Sequence, residues 1–145
     1  MKIQEQDKYH GPALMQIVEH DSFKALNKAD GRYGHYLVNK DIRLWFKYSS
    51  AAAEPWQFTF RPGDLRALQD DADLKGHVYV VLVCGYFSVC CLSWPEICSL
   101  IDPDSAVAQW VKVGAPQGKQ MRVTGSAQSK EPLLIPHNKF PNCIF

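Results

Sequence analysis

The sequence lacks any apolar stretch long enough to cross a bilayer, and it carries almost no net charge. Its longest apolar run, VYVVLVCGYF from Val78, has 10 residues, whereas a membrane helix needs about 20. The 16 Lys and Arg nearly balance the 15 Asp and Glu, so no overall charge attracts nucleic acid or membrane surfaces. The N-terminal MKIQEQDKYHGP has no apolar signal segment. We therefore expect a cytoplasmic protein with no membrane partner and with only local basic surfaces.

The sequence also lacks the local motifs of the common catalytic sites. It contains no glycine-rich phosphate loop, no G-x-S-x-G elbow, no H-E-x-x-H pair and no dinucleotide fingerprint. This absence favours a protein that is not an enzyme, although sites assembled from scattered residues carry no such motif. The five cysteines include no Cys-x-x-Cys pair. We expect them to be small buried apolar residues in a reducing compartment, with a zinc site as the lesser alternative. No cofactor and no metal are predicted.

The chain of 145 residues is long enough for one domain with its own core. Hydrophobic periodicity and turn residues predict blocks of strands interrupted by single helices, in the order α-β-β-β-α-β-β-α-β-β. This order is typical of an α+β fold in which helices cover a mostly antiparallel sheet. The predicted elements are a helix over about 10–25, a hairpin at 36–38 and 42–48, a strand at 56–60, a short helix in RPGDLRALQDDAD, strands in HVYVVLVCG and YFSVCCLSW, a helix in SWPEICSLID, and a hairpin from AQWVKV and QMRVTGS.

Two stretches give the most specific local predictions, and the tail gives a third. Ser93 and Glu96 have the spacing of a capping box, and Pro95 suits a first helical turn. HVYVVLVCG is almost continuously apolar, which is typical of a central strand covered on both faces. The tail EPLLIPHNKFPNCIF contains three prolines, so we expect it to run extended over the surface.

The strand at 42–48 suggests a binding surface. Its even-numbered residues are apolar or aromatic and would face the core, whereas Arg43, Trp45 and Lys47 would share the opposite face. Cations interleaved with an indole suit contacts with phosphates and stacked bases. Gln57 and Thr59 would extend this face if the strand at 56–60 were its neighbour. We predict that the face is open to solvent; the alternative is that a helix or the tail covers it.

A second basic group lies in and after the last hairpin, at Lys112, Lys119, Arg122 and Lys130. Lys112 shares a strand face with Trp110, which repeats the pairing of a cation with an indole. We therefore assign Lys112 and Arg122 to the predicted binding surface. The alternative is that these cations serve solubility and protect the edges of the sheet.

Several segments resemble small bacterial proteins that are associated with mobile genes and gene cassettes. The resemblance covers most of the chain and implies no particular activity. The segments that carry it are FKYSS, PWQFTF, VYVVLVCGYFSVCCLSWPEICSLI, QWVKVGAPQGKQMRVTGS and IPHNKFP.

The opening order of helix, three strands, helix and strand also resembles the core of the PD-(D/E)XK nuclease superfamily. That resemblance implies a divalent-metal site. Its carboxylates would come from Glu19, Asp41 and Glu54, and Lys47 would act from the neighbouring strand. The strand WQFTF contains neither an acid nor a lysine, so the acidic-x-Lys motif of the superfamily is missing.

Three functions follow from these patterns. The favoured one is a binding or accessory module that contacts nucleic acid or a protein partner through the cation–aromatic face. The alternatives are a divalent-metal-dependent nuclease with a displaced site, and a small-molecule binding protein with an aromatic pocket between sheet and helices. The edge strands of the last hairpin and the apolar tail also make a homodimer a candidate assembly.

Overall fold

The computed structural model describes residues 1–29, 33–74, 77–128 and 131–145. Within these ranges the chain forms three α-helices and nine strands, which confirms the α+β class and the predicted order of the main elements. The elements are α1 (Glu5–Val18), β1 (Leu26–Lys28), β2 (His35–Val38), β3 (Ile42–Ser49), β4 (Trp56–Phe60), α2 (Pro62–Ala72), β5 (His77–Cys84), β6 (Ser88–Ser93), α3 (Trp94–Leu100), β7 (Gln109–Gly114), β8 (Met121–Gly125), β9 (Leu133–Ile135) and a short 3-10 turn (Asn142–Ile144).

The strands form two sheets. The first has the order β1-β2-β3-β5-β6 and the second the order β4-β7-β8-β9. All neighbours are antiparallel except β3 and β5, which run parallel. The sequence suggested that Gln57 and Thr59 could extend the β3 face if β4 lay beside β3. The strand β4 lies in the other sheet, so this extension does not exist. After β3 the chain crosses to the second sheet, where β4 pairs with β7, and α2 then leads it back to β5.

The strand β5 separates two hydrophobic clusters and is buried on both faces, as predicted. Val80 and Leu82 belong to the first cluster, which lies between the two sheets and includes side chains of α2 and α3. Val81 and Val83 belong to the second cluster, which α1 and the end of the tail cover. Alternate residues of a strand point to opposite faces, so this one strand supplies both cores.

Helix α1 begins earlier and ends earlier than the predicted helix over 10–25. It starts after Gln4, whose backbone N–H donates to the Asp7 carboxylate at 2.8 Å in a capping box. Because this cap fixes the start, Pro12 lies inside the helix and not in its first turn. Tyr9, Ala13 and Ile17 are buried, and their spacing of four residues places them on one face.

The predicted cap of α3 is confirmed, whereas the prediction for the tail is wrong. Ser93 N–H donates to Glu96 Oε1 at 2.9 Å, and Glu96 N–H donates to Ser93 Oγ at 3.4 Å. The tail does not only run over the surface: Ile135 lies in strand β9, and Phe140 and Ile144 are buried in the second cluster. The apolar residues of the tail decide its position, because together with α1 they cover the second cluster.

Candidate functional site

The expectation that Trp45 is open to solvent is wrong. Its side chain is only 4% exposed, and its indole Nε1 donates a hydrogen bond of 2.7 Å to Asp71 Oδ2 on α2. The ring of His35 lies against it, with 3.9 Å between the ring centroids. The indole therefore packs beneath α2 in the first cluster and offers no stacking surface to a ligand.

The two cations beside Trp45 also turn to α2. Arg43 lies 3.9 Å from the Asp71 carboxylate, and Lys47 lies 3.7 Å from that of Asp64. The Lys47 ammonium also sits 4.9 Å from the centre of the Phe60 ring. Burial lowers the pKa of Lys47, and the charge of Asp64 opposes this effect. The side chains share one face, as predicted, but they fix α2 on the first sheet and do not form an open surface.

The carboxylates of the nuclease hypothesis do not meet. Glu19 caps the end of α1, Asp41 lies in the turn between β2 and β3, and the Glu54 carboxylate accepts a hydrogen bond from the backbone N–H of Ala115. Among the residues that the structure describes, no three His, Cys, Asp or Glu side chains are placed to hold a metal ion. The carboxylates that the resemblance to the PD-(D/E)XK core implies are therefore not gathered into a metal site within the described residues.

Lys112 and Arg122 lie on the outer face of the second sheet, the side turned away from the first sheet. On this outer face Gln57 pairs with Lys112, and Lys112 with Thr124. The Lys112 ammonium lies 5.1 Å from the centre of the Trp110 ring, so the predicted pairing of these two residues is present. Lys130 lies outside the described residues.

A cleft adjoins the outer face where β8 pairs with β9. It has a volume of about 870 Å³, within the range of small-molecule sites. Three chain segments form it: the turn between β5 and β6, the turn between β7 and β8 with the start of β8, and β9 with the residues after it. The lining residues are Phe87, Pro116, Gly118, Lys119, Gln120, Arg122, Leu134, Pro136, His137 and Asn138.

His137 joins the three segments of the cleft. Its Nδ1 lies 2.7 Å from the Ser88 hydroxyl, and its Nε2 lies 3.2 Å from the backbone carbonyl of Lys119. A carbonyl only accepts, so Nε2 carries a proton and donates it to the Lys119 carbonyl. These two bonds fix the walls of the cleft before any ligand arrives, which lowers the entropic cost of binding.

Phe87 provides an aromatic surface in the cleft. Its side chain is 63% exposed, yet neighbouring rings hold it on two sides. It stacks on Trp56 with 5.7 Å between the ring centroids, and its ring meets that of His137 edge-on at 5.7 Å. Leu134 is 60% exposed on β9. Exposed apolar side chains that meet in one concavity are typical of binding sites.

Lys119 and Arg122 bring positive charge to this apolar cleft. Both side chains are exposed, and none of the described residues that line the cleft carries a carboxylate. Within the part of the chain that the structure describes, neither cation takes part in an ion pair. The cleft therefore combines a fixed aromatic ring, an apolar wall and two cations that are available to an anion.

Sequence reasoning identified Arg122 as a binding residue and Lys119 as a member of the same basic group, but it missed the other residues of the cleft. Phe87 stands in the turn GYFS, two positions after Gly85, which has a positive φ of 57°. An aromatic pair in such a turn has no place in a core, and that is the signal that could have identified Phe87. Nothing local marks His137 or Leu134, because their role depends on segments that are distant in the sequence.

Comparison with known proteins identifies no relative of this chain. No protein-family model matches it, and no significant match was found among curated proteins or solved structures. No helix within the described ranges is long and apolar enough to span a bilayer.

Proposed function

We propose that this protein is a binding protein without catalytic activity, and that its ligand is an anion carrying a flat apolar ring. The observation that carries this proposal is the preformed cleft of about 870 Å³, in which the ring of Phe87 faces a space bordered by Lys119 and Arg122. Small-molecule binding was one of the alternatives that the sequence suggested. The sequence predicted a pocket between sheet and helices, whereas the proposed site lies at the end of the second sheet.

The cleft residues suit the two parts of such a ligand. Phe87 is available for stacking with a planar ring, and Leu134 and the neighbouring prolines offer apolar contact. The guanidinium of Arg122 can donate two parallel hydrogen bonds to a carboxylate, sulfonate or phosphate. Lys119 adds a second positive charge at the same cleft. Three functions are thereby divided among side chains: stacking, orientation of the anion and neutralisation of its charge.

A single-stranded nucleic acid is the second candidate ligand, and a specific observation favours it. The outer face continues from Arg122 to Lys112 and Trp110, so a polymer with rings and phosphates could extend beyond the cleft. Because the net charge is only +1, long-range electrostatic attraction contributes little to the binding of nucleic acid. We therefore expect a short strand to bind less tightly than a compact ligand, and to do so with a strong dependence on salt.

Fluorescence titration with anilinonaphthalene sulfonate, an anionic fused-ring probe, tests the proposal. Removal of a charged hydrogen bond costs about 1.5–3 kcal/mol, so Arg122→Gln should weaken binding roughly 10- to 100-fold. Phe87→Ala should weaken it as well, through lost stacking. Arg66→Gln changes an exposed arginine of α2, and Tyr86→Ala changes the exposed aromatic residue beside Phe87; neither lines the cleft. Equal affinity of all four variants would contradict the proposal.

A labelled single-stranded oligonucleotide separates the two ligands. If a polymer binds along the outer face, Lys112→Gln weakens oligonucleotide binding and leaves the affinity for the sulfonate probe unchanged. If the cleft takes only compact ligands, the oligonucleotide does not bind and the probe still does. The sequence also suggested a protein partner, but no feature of the cleft favours a protein over these two ligands.

A further inference from the structure

We infer that the ligand of the cleft carries an uncharged apolar extension, which passes Phe87 and His137 into a second compartment between α1, β6 and the tail. The ligand class is then an aryl anion with an alkyl tail, and not a compact ring anion alone. This inference rests on the proposed function of the cleft and adds to it the length and the polarity of the ligand.

A second concavity, here called the second compartment, borders the cleft. It has a volume of about 430 Å³. Phe87 and His137 line both spaces, so these two side chains form their common border. The rest of its lining comes from α1, the start of β6 and the tail. The lining residues are Gln16, Phe87, Ser88, Val89, His137 and Phe140.

The hydrogen bonds of His137 show how close the two spaces are. Ser88 lines the second compartment, and Lys119 lines the cleft. His137 Nδ1 lies 2.7 Å from the Ser88 hydroxyl, and its Nε2 lies 3.2 Å from the backbone carbonyl of Lys119. One imidazole ring and two hydrogen bonds therefore separate the wall of one space from the wall of the other. A ligand only a few carbon atoms longer than an aromatic ring can reach both.

Phe87 is placed to contact both parts of such a ligand. Its side chain is 63% exposed, and the rings of Trp56 and His137, each with its centroid 5.7 Å away, hold it in position. A fixed ring that remains exposed at a common border offers apolar surface to both spaces. The ring of the ligand can stack on Phe87 while the tail continues along it into the second compartment.

Charge distinguishes the two spaces and sets the orientation of the ligand. Lys119 and Arg122 line the cleft, whereas none of the described residues that line the second compartment is a lysine, arginine, aspartate or glutamate. Val89 and Phe140 give that compartment an apolar wall, because both pack in the second cluster. Burial of apolar carbon is favourable, and burial of an unpaired charge is costly. The anion therefore lies in the cleft and the tail in the second compartment.

A series of 4-alkylbenzene sulfonates tests the inference by displacing anilinonaphthalene sulfonate from the full chain, at concentrations below micelle formation. The series keeps the ring and the anion and lengthens the tail from methyl to octyl. Each methylene that enters the second compartment should tighten binding by up to about fourfold, which corresponds to ~0.8 kcal/mol per buried CH₂. Equal affinity of short and long members overturns the inference and leaves the proposed function intact. Failure of Arg122→Gln to weaken the methyl member contradicts the proposed function instead.

Gln16→Trp tests whether the tail enters the second compartment. Gln16 is an exposed residue of α1 that lines the second compartment and not the cleft, so an indole there fills the space without entering the core. We expect the gain with chain length to disappear and the affinity for the methyl member to stay unchanged. Met15→Trp is the matched control, because Met15 is also exposed on α1 and lines neither space. Equal gains in the two variants overturn the inference.

Intermolecular nuclear Overhauser effects locate the tail in the unmodified protein, so the test does not depend on the folding of a variant. In the complex with 4-octylbenzene sulfonate, the terminal methyl of the tail should give cross-peaks to Val89 and to the ring of Phe140. Cross-peaks to Leu134 and Pro116 in their place would put the tail inside the cleft and overturn the inference.

Discussion

The indole Nε1 of Trp45 donates a hydrogen bond of 2.7 Å to Oδ2 of Asp71. This bond joins β3, an inner strand of the first sheet, to the last turn of α2, and both partners are buried. A buried indole N–H needs an acceptor, and a buried carboxylate needs a donor. The pair satisfies both requirements at once, which explains why a strand face that reads as polar lies in the core.

Trp45→Phe should lower the free energy of unfolding by about 1–3 kcal/mol, because the substitution keeps a ring in the cluster but removes the donor to Asp71. Urea denaturation followed by far-ultraviolet circular dichroism measures the loss. Asp70→Asn, which changes the exposed neighbour of Asp71, is the control and should change stability little. Equal stability of Trp45→Phe and wild type would show that the hydrogen bond contributes nothing.

Lys47 should make stability rise with pH under alkaline conditions. Burial lowers its pKa in the folded chain, whereas the unfolded value is about 10.4. Between these two values the unfolded chain binds more protons, so the free energy of unfolding increases with pH. Lys47→Met removes this contribution, and we expect the stability of wild type relative to Lys47→Met to grow as pH approaches about 10.4. Denaturation of both proteins across this range checks the sign, and a falling difference contradicts it.

Ser88→Ala should reduce ligand binding in the cleft while leaving its two cations unchanged. The substitution removes the hydroxyl that bonds His137 Nδ1 at 2.7 Å, so the turn before β6 is no longer tied to the tail. We expect a loss of about 1 kcal/mol in stability and weaker binding of anilinonaphthalene sulfonate. Ser50→Ala, at an exposed position after β3, is the matched control. If both serine variants bind the probe as wild type does, the cleft does not depend on His137.

Two glycines should respond in opposite ways to alanine. A Cβ at Gly125 would overlap the backbone carbonyl of Leu100, and overpacking of this kind costs about 1–3 kcal/mol. A Cβ at Gly11, inside α1, would meet nothing within 4 Å, so Gly11→Ala should raise helix stability by roughly 0.5–1 kcal/mol. Thermal denaturation of both variants gives the comparison. A stable Gly125→Ala protein would mean that α3 can move away from β8.

Local signals predicted the elements well, whereas long-range pairing escaped sequence reasoning. The capping box at Ser93 and Glu96 and the hairpin of β2 and β3 depend on residues that are close in the chain, and both were predicted. The partner of Trp45 is 26 positions away, and nothing in the strand pattern says that α2 will bring a carboxylate to it. The pattern correctly separated the two faces of β3, but it could not say what covers each face.

The cleft escaped prediction for the same reason. It needs the turns before β6 and β8 to meet the tail, and each of these three segments is ordinary by itself. Only Lys119 and Arg122 were identified, through the basic character of their hairpin. The homodimer predicted from the sequence stays a prediction, and light scattering at micromolar concentration would decide it.

The contact between the residue that follows α1 and residues 142–145 has a consequence for how the protein folds. His20, just after α1, bonds Asn142 at 2.9 Å across 122 positions and stacks on Phe145 with 4.2 Å between ring centroids. Contacts between such distant positions form slowly, because a long loop must close before they bring any gain. We expect the sheets to collapse first and the second cluster to consolidate last, because the contacts of His20 with Asn142 and Phe145 close one of the longest loops of the fold.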